Sequence, residues 1–291
     1  MALERFREGA PDGVEVVALE EGLDLETVGF LLPSWRLDWV REALPTLTRL
    51  EVVQVLSAGT DSIADLVPPQ AKLCSARGAR DGPVAEWIVA ALLGATSRTL
   101  EGARLRTWTP LEVVDLESQT VLVVGMGSIG RHVEKLLAPF GTKVVGVASR
   151  ARDDLHGVDE LPALLPQADA VVLLTPLSDS TRGLIGAAEL AAMKDGALLV
   201  NAARGAVVDT DALVAELSAP RLRAVLDVTD PEPLPDGHPL WTAPGVLSIT
   251  SHIAGDSPLA HRRAIDLALR QLHRWAAGEE LENVVERSAV S

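Results

Sequence analysis

The chain has 291 residues and a mass of 30.8 kDa, enough for one large or two medium domains. Hydrophobic residues make up 47% and charged residues 23%, which excludes a disordered chain. A net charge of −15 and a pI near 4.8 argue against nucleic acid and anionic membrane as partners, because both select basic patches.

The single cysteine, Cys74, excludes an intrachain disulfide and a cysteine-built zinc site, and no other metal motif is present. The N-terminal stretch MALERFREGAPDG lacks the apolar core of a signal peptide. The longest apolar runs are too short to span a bilayer. The expectation is a cytoplasmic protein with no metal site and no membrane contact.

Short strands are expected at Val14–Leu19, Thr27–Leu32 and Val52–Ser57, with a helix at Leu37–Leu44 that Pro45 stops. Val84–Thr96 is apolar nearly all round and reads as a buried helix behind Pro83. From Gln119 the pattern changes. Apolar runs at Val121–Val124, Val144–Ala148, Ala170–Leu174, Ala197–Val200, Ala224–Val228 and Val246–Thr250 alternate with helical stretches. That alternation is the mark of a parallel sheet covered on both faces. Asp209–Leu217 reads as a helix with an acidic start, and Ala260–Ala277 as a long terminal helix.

The first apolar run leads into Gly125-x-Gly127-x-x-Gly130 and then a helix. The first glycine suits a tight turn, the second a close approach to a pyrophosphate, and the third packing of helix on strand. The helix N-terminus aims unpaired N–H groups at the anion. The loop alone leaves S-adenosylmethionine open as an alternative to a dinucleotide. At the end of the next strand, where an acid commonly holds the ribose hydroxyls, stands Ala148, followed by Ser149, Arg150 and Arg152. A hydroxyl and two guanidinium groups suit a 2′-phosphate. The competing reading is a solvated basic loop offset by Asp153 and Asp154.

Three further strand ends carry chemistry. Arg204 follows LLVNAA, Glu232 follows LDVTDP, and His252 follows LSITS. Ligands bind outside the carboxyl ends of the strands in open α/β sheets. An arginine grips a carboxylate and polarises a carbonyl. A histidine moves a proton near neutral pH. A carboxylate beside it fixes its ring and favours its charged form.

With these residues in place, the sequence resembles the D-isomer-specific 2-hydroxyacid dehydrogenases, the group containing phosphoglycerate dehydrogenase and the glyoxylate/hydroxypyruvate reductases. The resemblance runs through SAGTD (57–61), VAEW (84–87), the glycine loop, TPLSDSTRGLIG (175–186), NAARGAVVD (201–209), LDVTDPEPLP (226–235), HPLW (238–241) and SHIAG (251–255). It implies that Arg204, Glu232 and His252 are catalytic. It implies that Ala58 and Gly59, with Arg204 and His252, bind the substrate. For the cofactor it implies Gly125, Gly127, Ser128, Ile129, Gly130, Ser149, Arg150, Arg152, Thr175, Pro176, Ala202, Ala203, Asp227, His252, Ala254 and Gly255, with Asp227 near the nicotinamide amide. Ser251 stands in place of a proline, Thr229 in place of an aromatic residue, and Ala148 in place of the acid of NAD-preferring members.

The implied architecture is α/β: two Rossmann-like domains with doubly wound parallel sheets. Residues 1–80 form a substrate domain, 81–256 the dinucleotide-binding domain, and 257–291 return to the substrate domain, which is therefore discontinuous. The implied activity is NAD(P)-dependent reduction of a small 2-keto acid, glyoxylate or hydroxypyruvate in type, by hydride transfer. NADP(H) is the expected cofactor, with NAD(H) possible. Two alternatives remain at this stage: a phosphoglycerate dehydrogenase-type activity, and a dinucleotide-sensing, corepressor-like protein without turnover. The apolar helix at 84–96 resembles the family's dimer-forming helix, so a homodimer is expected.

Overall fold

The computed structural model describes residues 2–18, 25–33 and 37–286. The chain divides into two compact units, Met1–Arg80 with Ser257–Ser291, and Asp81–Asp256.

The first unit holds α1 (Ala2–Glu8), β1 (Phe30–Leu31), α2 (Leu37–Ala43), β2 (Val52–Gln54) and β3 (Lys72–Cys74). The strands form a parallel sheet in the order β1-β2-β3. The strand expected at Val14–Leu19 does not form over residues 14–18, and Leu19 lies outside the described residues. Val14 and Val16 pack instead around Phe6, Ala268 and Leu272. Helices satisfy their apolar alternation, so no ladder is needed. β3 was not anticipated, because three residues give too short a run to show a period. Cys74 on β3 is fully buried, and burial pushes its thiol up to about 11, as befits a core residue.

The second unit begins with α3 (Asp81–Thr96) and α4 (Thr99–Gly102), followed by β4 (Thr120–Val124), α5 (Ser128–Leu137), β5 (Lys143–Ala148) and β6 (His156–Gly157). It continues with α6 (Leu161–Leu164), β7 (Ala170–Leu173), α7 (Ala187–Ala192), β8 (Leu198–Asn201), α8 (Thr210–Ser218), β9 (Arg223–Leu226) and β10 (Val246–Ile249). All seven strands are parallel, in the order β10-β9-β8-β7-β4-β5-β6. Alternate residues feed two cores. Leu122, Val124, Val171, Leu173 and Leu199 pack with Leu161, Leu190, Leu213 and Leu217 of α6, α7 and α8. Val121, Val123, Val172, Leu198 and Val200 pack with Ile88 and Leu92 of α3 and Val133 and Leu137 of α5. This is the doubly wound arrangement that continuous apolar strands require. The apolarity of α3 is largely consumed here, since Val84, Ala85, Ile88, Ala91, Leu92 and Ala95 are all buried within the unit.

The terminal helix α9 (Pro258–Ala276) belongs to the first unit, and the Ser257 hydroxyl caps it by accepting from the Ala260 N–H at 3.1 Å. Among the described residues, no helix is long and apolar enough to cross a membrane.

Candidate active site

The order of strands reverses between β4 and β7, and the glycine loop sits at that switch point. Gly125 adopts φ +110°, and a Cβ on it would run into the backbone of Leu174 and Thr175. A Cβ on Gly130 would stand 2.7 Å from the Gly125 carbonyl and 3.1 Å from Met126 Sδ, so α5 packs this close only with glycine there. Gly127 differs: a Cβ there would meet no atom of the chain within 4 Å. The protein's own packing does not require that glycine, but a phosphate lying against the N-terminus of α5 does. Ser128, Ile129 and Gly130 supply the first N–H groups of that helix, which have no intrahelical acceptor. The Thr175 hydroxyl, just beyond β7, is buried with no partner among the described residues. A polar atom in this state calls for a ligand. Together these groups fit a dinucleotide.

At the end of β5, Ser149, Arg150 and Arg152 are exposed. The Arg152 and Leu155 backbones close a tight turn through two hydrogen bonds of 3.0 and 2.8 Å, with Asp153 at φ +48°. The expected competition from acids takes another course. Asp154 accepts a two-pronged grip from Arg131 on α5, Nη2 to Oδ1 at 2.9 Å and Nη1 to Oδ2 at 3.0 Å. Hydrogen bonds from Arg131 hold the Asp154 carboxyl below its ordinary range.

Arg204, Glu232 and His252 follow the carboxyl ends of β8, β9 and β10, three neighbouring strands. His252 Nδ1 lies 2.7 Å from Glu232 Oε1. That bond fixes the ring and leaves Nε2 as the nitrogen able to exchange a proton with a substrate. His252 has φ +57°, an unusual backbone state for a non-glycine residue. Asp227 holds it there. The His252 N–H donates to the Asp227 carbonyl at 2.8 Å. The buried Asp227 carboxylate accepts from the Thr250 hydroxyl at 2.6 Å and the Ile253 and Ala254 N–H groups at 2.9 Å each. Both Asp227 oxygens thus organise the turn that carries His252.

Arg204 is placed with similar economy. Buried Asn201, the last residue of β8, accepts from the Ala203 N–H at 3.0 Å and donates to the Arg204 carbonyl at 3.1 Å. Arg204 Nη1 donates to the Ala203 carbonyl at 2.7 Å. A Cβ on Gly205 would overlap the Thr229 carbonyl, so the Arg204 turn and the loop leading to Glu232 meet backbone to backbone. Asn201 and Thr250 escaped the sequence reading. The available signal was a polar side chain closing an apolar strand. Pro176, Ala202 and Gly255 lie on the same strand-end loops as their neighbours. In the other unit, Ala58 and Gly59 stand in a turn where the Ser57 hydroxyl donates to the Gly59 carbonyl at 2.7 Å. Among the described residues, no group of three or more His, Cys, Asp or Glu is placed to hold a metal.

The family model for the D-isomer specific 2-hydroxyacid dehydrogenase NAD binding domain matches residues 88–254. A glyoxylate reductase of Aeropyrum pernix is 32% identical over 269 residues, covering 86% of this chain and 80% of that protein. A D-isomer specific 2-hydroxyacid dehydrogenase from Xanthobacter autotrophicus Py2, solved with NADPH and MES, is similar with a TM-score of 0.85 and 28% identity, over 98% of this chain and 93% of that one. An NADPH-dependent glyoxylate/hydroxypyruvate reductase from Sinorhizobium meliloti, solved with NADP and sulfate, gives a TM-score of 0.86 and 26% identity, over 98% and 94%.

Proposed function

Because the chain belongs to the D-isomer specific 2-hydroxyacid dehydrogenase family, we propose that it reduces a small, unphosphorylated 2-keto acid of the glyoxylate or hydroxypyruvate type, with NADPH preferred over NADH. The observation that carries this reading is the Glu232–His252 pair at 2.7 Å, beside Arg204 on neighbouring strand ends. A bound nicotinamide dinucleotide supplies the hydride in reduction and accepts it in oxidation. Arg204 binds the substrate carboxylate and polarises the adjoining carbonyl. Protonated His252 would donate its Nε2 proton to the substrate carbonyl oxygen. Glu232 keeps the ring oriented and balances its charge. Asp227 keeps His252 in place.

Gly125, Gly127, Ser128, Ile129 and Gly130 hold the pyrophosphate in this reading, with Thr175, Pro176, Ala202, Ala203, Asp227, His252, Ala254 and Gly255 along the nicotinamide half. The NADPH preference rests on Ala148, Ser149, Arg150 and Arg152. Ala148 puts no carboxylate at the strand end itself, and the nearby Asp154 is taken by Arg131 rather than by Arg150 or Arg152. The two NADP(H)-bound relatives support the same direction. One charge-assisted contact to phosphate, at roughly 1.5–3 kcal/mol, gives about a tenfold or larger preference. The test is a panel of 2-keto acids with both reduced cofactors. Turnover of glyoxylate or hydroxypyruvate with kcat/KM higher for NADPH supports the reading, and equal or higher efficiency with NADH refutes the preference.

We also propose a homodimer. Its support is the exposed segment 105–114, where Leu105, Trp108, Leu111, Val113 and Val114 face solvent and Trp108 is completely exposed. Light scattering should give twice the 30.8 kDa chain mass at micromolar concentration. The single buried cysteine supports a reducing, cytoplasmic setting.

A further inference from the structure

The end of β5 carries Arg150, Arg152, Asp153 and Asp154 in sequence, and Arg131 and Glu134 of α5 meet this segment through the Arg131–Asp154 contact. Adjacency in sequence would pair Asp153 and Asp154 with Arg150 and Arg152. The structure pairs Asp154 otherwise. Arg131 takes Asp154 with both terminal nitrogens, at 2.9 and 3.0 Å, and also donates to Glu134 Oε2 at 3.0 Å. Its own backbone N–H is fixed in the first turn of α5 by the Gly127 carbonyl at 3.0 Å. The fork therefore sits on a rigid element, one residue past the glycine loop. The turn at Asp153 helps, because its left-handed backbone and the paired Arg152–Leu155 hydrogen bonds fix which way residue 154 leaves the chain.

We propose that Arg131 is a positioning residue for cofactor choice: by holding Asp154 against α5, it keeps that carboxylate off Arg150 and Arg152 and leaves both guanidinium groups to the 2′-phosphate of the dinucleotide. The inference rests on the NADPH reading above and extends it to a residue outside the set read as cofactor-binding. The physical reason is charge balance. A released carboxylate two residues from Arg152 attracts the same guanidinium groups that a phosphate needs, and it repels the phosphate directly. At an exposed site each effect is modest, so the combined loss should be about three- to tenfold, and it should shrink as salt is raised.

The experiment is calorimetric titration of the full-length protein with 2′,5′-ADP and with 5′-ADP, fragments that differ only in the 2′-phosphate. Wild type should bind 2′,5′-ADP more tightly. Arg131→Met should weaken 2′,5′-ADP about three- to tenfold and leave 5′-ADP within twofold. Arg131→Met combined with Asp154→Asn should return 2′,5′-ADP to within about twofold of wild type, because the competing charge is gone. Asp154→Asn alone should bind at least as tightly as wild type. This rescue is what separates positioning from mere structural support, which a second substitution would not restore. Arg131→Met with unchanged discrimination, equal weakening of both fragments, or no rescue in the double variant would each overturn the role of Arg131 while leaving the NADPH reading intact. Wild type that binds the two fragments equally would overturn the NADPH reading, and this inference with it.

Discussion

The carboxyl ends of β8, β9 and β10 and the carboxyl end of β5 both present polar side chains to solvent, yet they are built differently. At the first, half-buried Arg204 and exposed His252 each stand on a buried polar support. Asn201 is 1% exposed and ties down the Arg204 turn, and Asp227 is 3% exposed and ties down the His252 turn. At the second, Ser149, Arg150 and Arg152 are exposed, and the Asp154 that follows them is held in a surface ion pair with Arg131. The difference follows from the work assigned to each. Proton transfer and carbonyl polarisation tolerate little displacement, so hydrogen bonds to buried side chains suit them. Discrimination of a phosphate from a hydroxyl is a matter of charge over several ångströms, which an exposed loop can supply.

Substitutions should separate the two regions by the size of their effects. The largest belongs to His252. His252→Ala should cut turnover by about 10²–10⁴, with cofactor affinity largely kept, as steady-state kinetics and cofactor titration will show. Arg204→Ala comes next. It should raise KM and lower kcat together, because the guanidinium acts on bound substrate and on the developing alkoxide alike. Full activity in either variant would break the account of the strand ends.

Asp227→Ala sharpens the comparison, since it tests the support rather than the chemistry. Three donors would lose their acceptor: the Thr250 hydroxyl and the Ile253 and Ala254 N–H groups. A buried donor left unsatisfied costs about 1–3 kcal/mol, so the melting temperature should fall by several degrees and kcat should fall with it. A variant with wild-type melting and turnover would show that the His252 turn holds without Asp227. The smallest effect is expected at the β5 end. Arg150→Ala should lower the NADPH-to-NADH ratio of kcat/KM by about tenfold while leaving turnover with NADH near wild type. An unchanged ratio would remove Arg150 as the source of the preference.

The same two regions show what was legible in the residues alone. The spacing of Gly125, Gly127 and Gly130 reads directly, because each glycine answers a local demand of strand, turn or helix. Arg204, Glu232 and His252 read because each follows an apolar run that can only be a buried strand. The supports did not read. Asp227 bonds to groups 23 to 27 residues away, and Arg131 to one 23 residues away, and no periodicity announces such pairs. The partner of Asp154 did not read for a related reason. Proximity in sequence does not say which way a turn sends a side chain, and the positive φ of Asp153 is a tertiary outcome. Residues 14–18 show the opposite failure, where a strand-like alternation is satisfied by α1 and α9 instead of a sheet.

The role of His252 as the proton donor and acceptor is the centre of the account, and the pH dependence of both reaction directions tests it most directly. Reduction of a 2-keto acid requires the imidazolium, and oxidation of the 2-hydroxy acid requires the neutral ring. Initial rates measured across pH at saturating cofactor should therefore fall with rising pH for reduction and rise with pH for oxidation. In His252→Ala, both directions should be slow and should lose this opposed dependence. Opposed pH profiles that persist in His252→Ala at substantial rate would contradict the account, because another group would then be moving the proton.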